Sequence, residues 1–206
     1  MADYWEQIHA ERKAIIDDCE NLTAEQWATP SLCAGWTVHD LLAHQLATAK
    51  TTPGGFIRKF AGSGFSFPKM VDKDIAHERA GGPTATLAAF KAAYQRTTSP
   101  PGPKQSWLAE AVIHSEDMRQ PLGLKRDYPM DALVTLLDFH KKSNAIIGSR
   151  KRIEGLSLKA TDTSWSTGTG PAVEGPALAL LMGMTGRKAH LDQLTGDGVE
   201  ILRGRP

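Results

Sequence analysis

The sequence predicts a mainly α protein, with a helical bundle over residues 1–150 and a small α/β appendage over 151–206. Three observations predict it. Apolar residues recur at helical spacing as far as about residue 150, in segments separated by proline and glycine. After Gly155 the period changes: Leu156-Ser157-Leu158-Lys159-Ala160-Thr161 alternates apolar and polar, as a half-buried strand does. The length of 206 residues, 41% hydrophobic and 23% charged, suits one compact domain or one domain with a small addition.

Taken in order, Asp3 to Cys19 reads as a first helix, with Trp5, Ile8, Ile15 and Ile16 among its apolar positions. Thr23-Ala24-Glu25-Gln26 has capping-box spacing and predicts a short helical turn. Pro30 to Gly35 is a loop. Thr37-Val38-His39-Asp40 is a second cap, opening a helix to about Lys50 whose stripe is Val38, Leu41, Leu42, Leu46 and Ala49. Between Thr51 and Gly82 the pattern is broken by Pro53, Gly54, Gly55, Gly62, Gly64 and Pro68, with Phe56, Phe60, Phe65 and Phe67 interleaved. That segment reads as a long loop or lid, with room for a short helix around Ile57.

A third long helix is expected over Thr84 to Thr97, a fourth from after Pro103 to before Pro121, and a fifth from about Pro129 to Ile147. In the appendage, Asp162 to Gly170 suggests a hairpin connection, Pro176 to Met184 and Lys188 to Leu194 two helices, and Val199 to Leu202 a last short strand.

Charge excludes one broad class. Lysine plus arginine number 24 against 23 aspartate plus glutamate, and phosphate binding needs a concentrated positive field, so nucleic acid is not the expected partner. Arg150-Lys151-Arg152 is read as a solvated helix end. No stretch approaches the roughly 20 apolar residues of a membrane span. Met1 to Glu11 lacks the apolar core of a signal peptide, and two cysteines make no disulfide framework, so a reduced cytoplasm is the expected setting.

The chemistry concentrates in Trp107 to Asp117. At about 100° per residue, Glu110 and His114 are neighbours one turn apart, with Asp117 a further turn along the same face. Ile113 shares that face. A carboxylate and an imidazole among apolar groups are costly to bury unless something compensates them, and a dication does so. A surface Glu–His pair fits the same spacing equally well. Two ligands on one helix are also too few, and His44, at the edge of the second helix's apolar stripe, is the candidate for a third.

Longer blocks surround these residues. Ser31-Leu32-Cys33-Ala34-Gly35-Trp36-Thr37-Val38-His39-Asp40-Leu41-Leu42-Ala43-His44 is followed far downstream by Glu110-x-x-x-His114-x-x-Asp117-x-Arg119-x-Pro121-Leu122-Gly123. With Ala160-Thr161-Asp162-x-x-Trp165-Ser166-x-Gly168-x-Gly170, Gly175-Pro176-Ala177, Gly186-Arg187 and Leu194-Thr195-Gly196-Asp197-Gly198, the chain resembles the mycothiol-dependent maleylpyruvate isomerase family. That family belongs to the wider DinB-like superfamily of metal-binding four-helix bundles. The resemblance implies a divalent metal, zinc by preference, on His44, Glu110 and His114. It also implies mycothiol as a low-molecular-weight thiol cofactor and a small electrophile as substrate. The expected activity is that of a metal- and thiol-dependent transferase or isomerase. A non-catalytic metal-stabilised binding or sensor module is the alternative.

Other residues are set aside. Asp117 reads as a group behind the ligands or a helix-end contact, and Arg119 as a helix-end cap or surface pair. Cys33 reads as a small buried hydrophobe. His9, His77, His140 and His190 lack partner spacing, and His39 faces away from His44. Gly168-Thr169-Gly170 lacks the strand–turn–helix setting of a nucleotide loop.

Overall fold

The computed structural model describes residues 4–144 and 148–206, and its chain forms two compact units, Met1–Lys125 and Arg126–Pro206. The boundary therefore falls at 125/126 and not at the expected 150/151.

The first unit contains α1 (Tyr4–Cys19), α2 (Ala24–Trp27), α3 (Val38–Lys50), α4 (Pro53–Gly62), α5 (Phe67–Arg79), α6 (Gly82–Ala93) and α7 (Lys104–Leu122). Helix α3 lies at its centre and packs on α5, α6 and α7, while α1 packs on α7 and α6. Its start is fixed as the sequence predicts. Thr37 Oγ1 accepts the Asp40 N–H at 3.2 Å, and Asp40 Oδ2 accepts the Thr37 N–H at 2.9 Å, which satisfies two otherwise orphaned donors. All five residues of the α3 stripe are fully buried, in a core shared with Ile15, Ile16, Trp27, Phe90 and Met118. Each valine or leucine side chain of the stripe contributes about 1.5–3 kcal/mol.

Two features of this unit correct the sequence reading. The expected Thr51–Gly82 lid loop is a pair of helices, α4 and α5. Pro53 and Pro68 sit in the first turns of these helices, where a missing N–H costs nothing, so they begin helices instead of interrupting them. Thr52 Oγ1 caps α4 by accepting the Gly55 N–H at 3.0 Å. Gly64 and Phe65, with φ of 65° and 57°, make the turn between the two helices.

The second correction concerns α7, which runs through Pro121 to Leu122 and ends on a left-handed Gly123. Proline has no N–H to give the carbonyl four residues back. That carbonyl belongs to Asp117, and it accepts the Leu32 N–H at 3.1 Å instead. The proline thus ties the loop before α3 to the helix carrying Glu110 and His114.

The second unit contains α8 (Met130–His140), α9 (Ser149–Arg152), β1 (Ser157–Ala160), β2 (Ser166–Thr167), β3 (Ala172–Gly175), α10 (Ala177–Met184), a 3-10 helix (Lys188–Gln193) and α11 (Gly198–Gly204). Helix α8 ends at His140, short of the expected Ile147; residues 145–147 lie outside the described residues. It packs on α10, within this unit.

The sheet order is β2-β1-β3, with β1 antiparallel to β2 and parallel to β3. The Gly168–Gly170 turn is structural: a Cβ at either glycine would lie 2.2 Å from the Leu156 or the Gly155 carbonyl oxygen. Val199 to Leu202, expected as a strand, lies in α11, because Val199 and Leu202 are three apart and share one buried helical face. Arg152 is not simply solvated, since it donates to the Met184 and Pro206 carbonyls.

Candidate metal centre

Helices α3 and α7 face each other in the first unit, and the three sequence-predicted residues meet between them. His44 Nε2 lies 2.6 Å from Glu110 Oε1, and His114 Nε2 lies 3.7 Å from Glu110 Oε2. The two imidazole rings are 5.2 Å apart and nearly perpendicular. One donor atom from each of the three residues falls within 4.8 Å of the others. Bonds of about 2.0–2.2 Å around a tetrahedral ion place their ligand atoms about 3.3–3.6 Å apart. The His114–Glu110 separation is already too long for a hydrogen bond and close to that spacing. The His44–Glu110 contact is a hydrogen bond that would open by under 1 Å to reach it.

Neighbouring contacts orient the three side chains. Asp117 Oδ2 accepts from His114 Nδ1 at 2.9 Å, and the Asp117 side chain is 0% exposed. A carboxylate there accepts a hydrogen bond from Nδ1–H and so keeps the proton on Nδ1, which leaves the lone pair on Nε2, the nitrogen that faces Glu110 and His44. Thr48, one turn beyond His44, donates to Glu110 Oε1 at 3.3 Å. Buried Gln45 donates to Ser115 Oγ at 3.4 Å and joins the two helices beside both histidines. The Trp36 ring stands 5.1 Å from the His44 ring and 6.5 Å from the His114 ring, forming an apolar wall over both.

Electrostatics follow from this packing. Burial pushes the Glu110 carboxyl upward, but the charges of His44 and His114, with hydrogen bonds from His44 and Thr48, outweigh it and hold the group at about 2. Glu110 is thus an anion throughout the neutral range, as a metal ligand must be. Arg12, buried on α1, is lowered to about 10 by burial against the raising influence of Glu110, and its Nη1 donates to the Tyr94 and Arg96 carbonyls beyond α6.

Some contacts were not visible in the sequence. Cys33 is half-buried and donates its S–H to Asp117 Oδ2 at 3.2 Å, with Sγ 3.6 Å from His114 Nδ1. It packs against the α3 core as the small hydrophobe expected, only partly buried, and is in addition a polar neighbour of the site. Arg119 is neither a helix-end cap nor a surface pair. It is 0% exposed and ion-paired to Glu11 and, at 2.6 Å, to Asp18, which locks α7 to α1. His39 meets Thr86 Oγ1 at 3.0 Å, away from His44, as its spacing required.

These features define a mainly helical protein whose first unit gathers two histidines and a carboxylate between facing helices. The profile described as the mycothiol maleylpyruvate isomerase N-terminal domain matches residues 8–116, more than half of the chain, and the chain belongs to that family. Two solved structures are similar over 95% of this chain and 92% of their own. They are the mycothiol-dependent maleylpyruvate isomerase, 17% identical, and a histidine-to-alanine variant of it, 18% identical, each with a TM-score of 0.66. No curated protein matches the chain by sequence. Among the described residues no helix is long and apolar enough to cross a membrane.

Proposed function

We propose that His44 Nε2, Glu110 and His114 Nε2 bind one divalent ion, zinc by preference. On this reading the chain is a mycothiol-using isomerase or transferase of the cytoplasm, acting on a small electrophile. The observation that carries the reading is the convergence of these three donors between α3 and α7, next to a buried carboxylate that fixes the His114 tautomer. Two nitrogens and a carboxylate oxygen suit zinc, and three protein ligands leave a position open for a thiol. When bound, the ion supplies positive charge that lowers the pKa of a thiol or water at that position.

The chain's own residues do the rest. Asp117 holds His114 in register, Thr48 holds Glu110, and Trp36 presents a dry aromatic surface beside both histidines. A bound thiol would supply a nucleophile that is regenerated with each turnover, so isomerisation would consume none. Family membership supports the thiol, and the resemblance of the whole fold to the isomerase supports an enzyme over a passive binding module.

Calorimetric titration of mycothiol into zinc-loaded and chelated protein tests this. The reading predicts saturable binding to the loaded form and loss of it in the apo form. Equal binding to both would overturn it.

A further inference from the structure

His114 faces different donors with its two ring nitrogens. Nε2 looks toward Glu110 and His44. Nδ1 looks toward Asp117 Oδ2 at 2.9 Å and Cys33 Sγ at 3.6 Å, and Sγ and Oδ2 are themselves 3.2 Å apart. Around one tetrahedral ion of zinc's size, with bonds of about 2.0–2.2 Å to nitrogen and oxygen and about 2.3 Å to sulfur, such atoms would stand about 3.3–3.7 Å apart. The three separations are near that spacing already. A sulfur donor in the set favours soft cations over hard ones.

We propose that Cys33 Sγ, His114 Nδ1 and Asp117 Oδ2 form a second cation site, selective for thiophilic ions such as cadmium(II), whose filling empties the first. The inference rests on the reading of His44, Glu110 and His114 as a metal site, and it adds a means of regulating that site. Mutual exclusion follows from the imidazole itself. A neutral ring has one lone pair to give, either at Nε2 or at Nδ1.

The protons balance. Cadmium at the second site replaces the Cys33 thiol proton, which leaves to solvent. It also replaces the Nδ1 proton of His114, and Nε2 takes up a proton in its place. One proton is released per cadmium bound, and His114, protonated at Nε2, no longer ligates zinc, which departs as the dication. Asp117 supplies the buried negative charge that a second cation requires, and half-buried Cys33 gives the entry route. Cys19 does not compete, because it is 2% exposed and burial, followed by the charge of Asp18, pushes its thiol up to about 12.

The test is titration of zinc-loaded, full-length protein with cadmium(II), reading released zinc with a chromophoric chelator and thiolate-to-cadmium charge transfer in the ultraviolet. The expected result is loss of one zinc per chain in step with growth of the charge-transfer band. Both signals should vanish in Cys33→Ser and Cys33→Ala, which are first checked for helical circular dichroism and zinc content. Zinc release without the band would mean direct exchange at the first site and would overturn the proposal. The band with zinc retained would overturn mutual exclusion, and so would persistence of both signals in the Cys33 variants. Absence of both signals in the wild-type protein would overturn the second site without variants. Failure of the protein to load zinc at all refutes the first site instead, so the two failures are distinguishable.

Discussion

Replacing Asp117 by asparagine keeps the shape of the side chain and an acceptor oxygen but removes the charge that holds the His114 Nδ1 proton. In the folded chain that carboxylate is 0% exposed and accepts from both His114 and Cys33. Losing the partner of a metal-ligand histidine weakens metal binding by about 10–100-fold, or about 1.4–2.7 kcal/mol. The complete burial of Asp117 places Asp117→Asn toward the upper end. Stability of the apo protein should fall far less than in Asp117→Ala, which removes the acceptor of the His114 N–H and costs about 1–3 kcal/mol for that donor. Competition between the protein and a chromophoric chelator for zinc, at fixed pH, measures the affinity; thermal melts of the apo forms measure stability. An Asp117→Asn affinity within about twofold of wild type would show that Asp117 does not set the His114 tautomer.

Other expectations follow from the same structure. Chelation should leave the helical circular dichroism intact with a moderate drop in melting midpoint. Without an ion His44 bonds to Glu110 and His114 to Asp117, and the Leu42, Leu46 and Met118 core is built from residues other than these four. Unfolding on chelation would refute this. His140 is lowered to about 4 by burial and then by the charge of Arg187, so its folded pKa lies below the ordinary 6.5. Its contribution is complete above pH 6.5 and is lost as pH falls toward 4, up to about 3 kcal/mol. Denaturant melts of His140→Gln between those pH values should therefore show a flatter acid limb, and an unchanged slope would count against the buried neutral form. Arg119→Ala leaves Glu11 and Asp18 without their shared cation and should cost about 3–5 kcal/mol by urea unfolding. A loss under 1 kcal/mol would contradict the buried-pair account.

What the sequence revealed and concealed divides along physical lines. Thr37 with Asp40, the stripe from Val38 to Ala49, and the alternation through Leu158 and Ala160 are local patterns, and each formed the element predicted. Pro53 and Pro68 misled, because proline both breaks a helix and begins one, and only the following residues decide which. Helix α8 carries an apolar face, Leu133, Leu136 and Leu137, that suits either unit, so spacing alone could not assign it. The spacing of Glu110 and His114 was legible from one turn of helix, whereas His44 was a candidate from its place beside the α3 stripe and was strengthened by the longer resemblance. The Cys33–Asp117 contact joins residues 84 apart and left no periodic trace. One signal was available, since Pro121 stands four residues after Asp117 and must free its carbonyl for another donor. Arg119 read as a surface residue because no spacing announces that Glu11 and Asp18 lie across from it.

The most direct test of the central claim is elemental analysis of gently purified wild-type protein beside His44→Ala. His44 is the proposed ligand that joins α3 to a pair lying wholly on α7. The account predicts close to one divalent ion per chain in the wild type and loss of most of it in the variant, with helical circular dichroism preserved. Near-full occupancy in His44→Ala would remove α3 from the site and contradict the account.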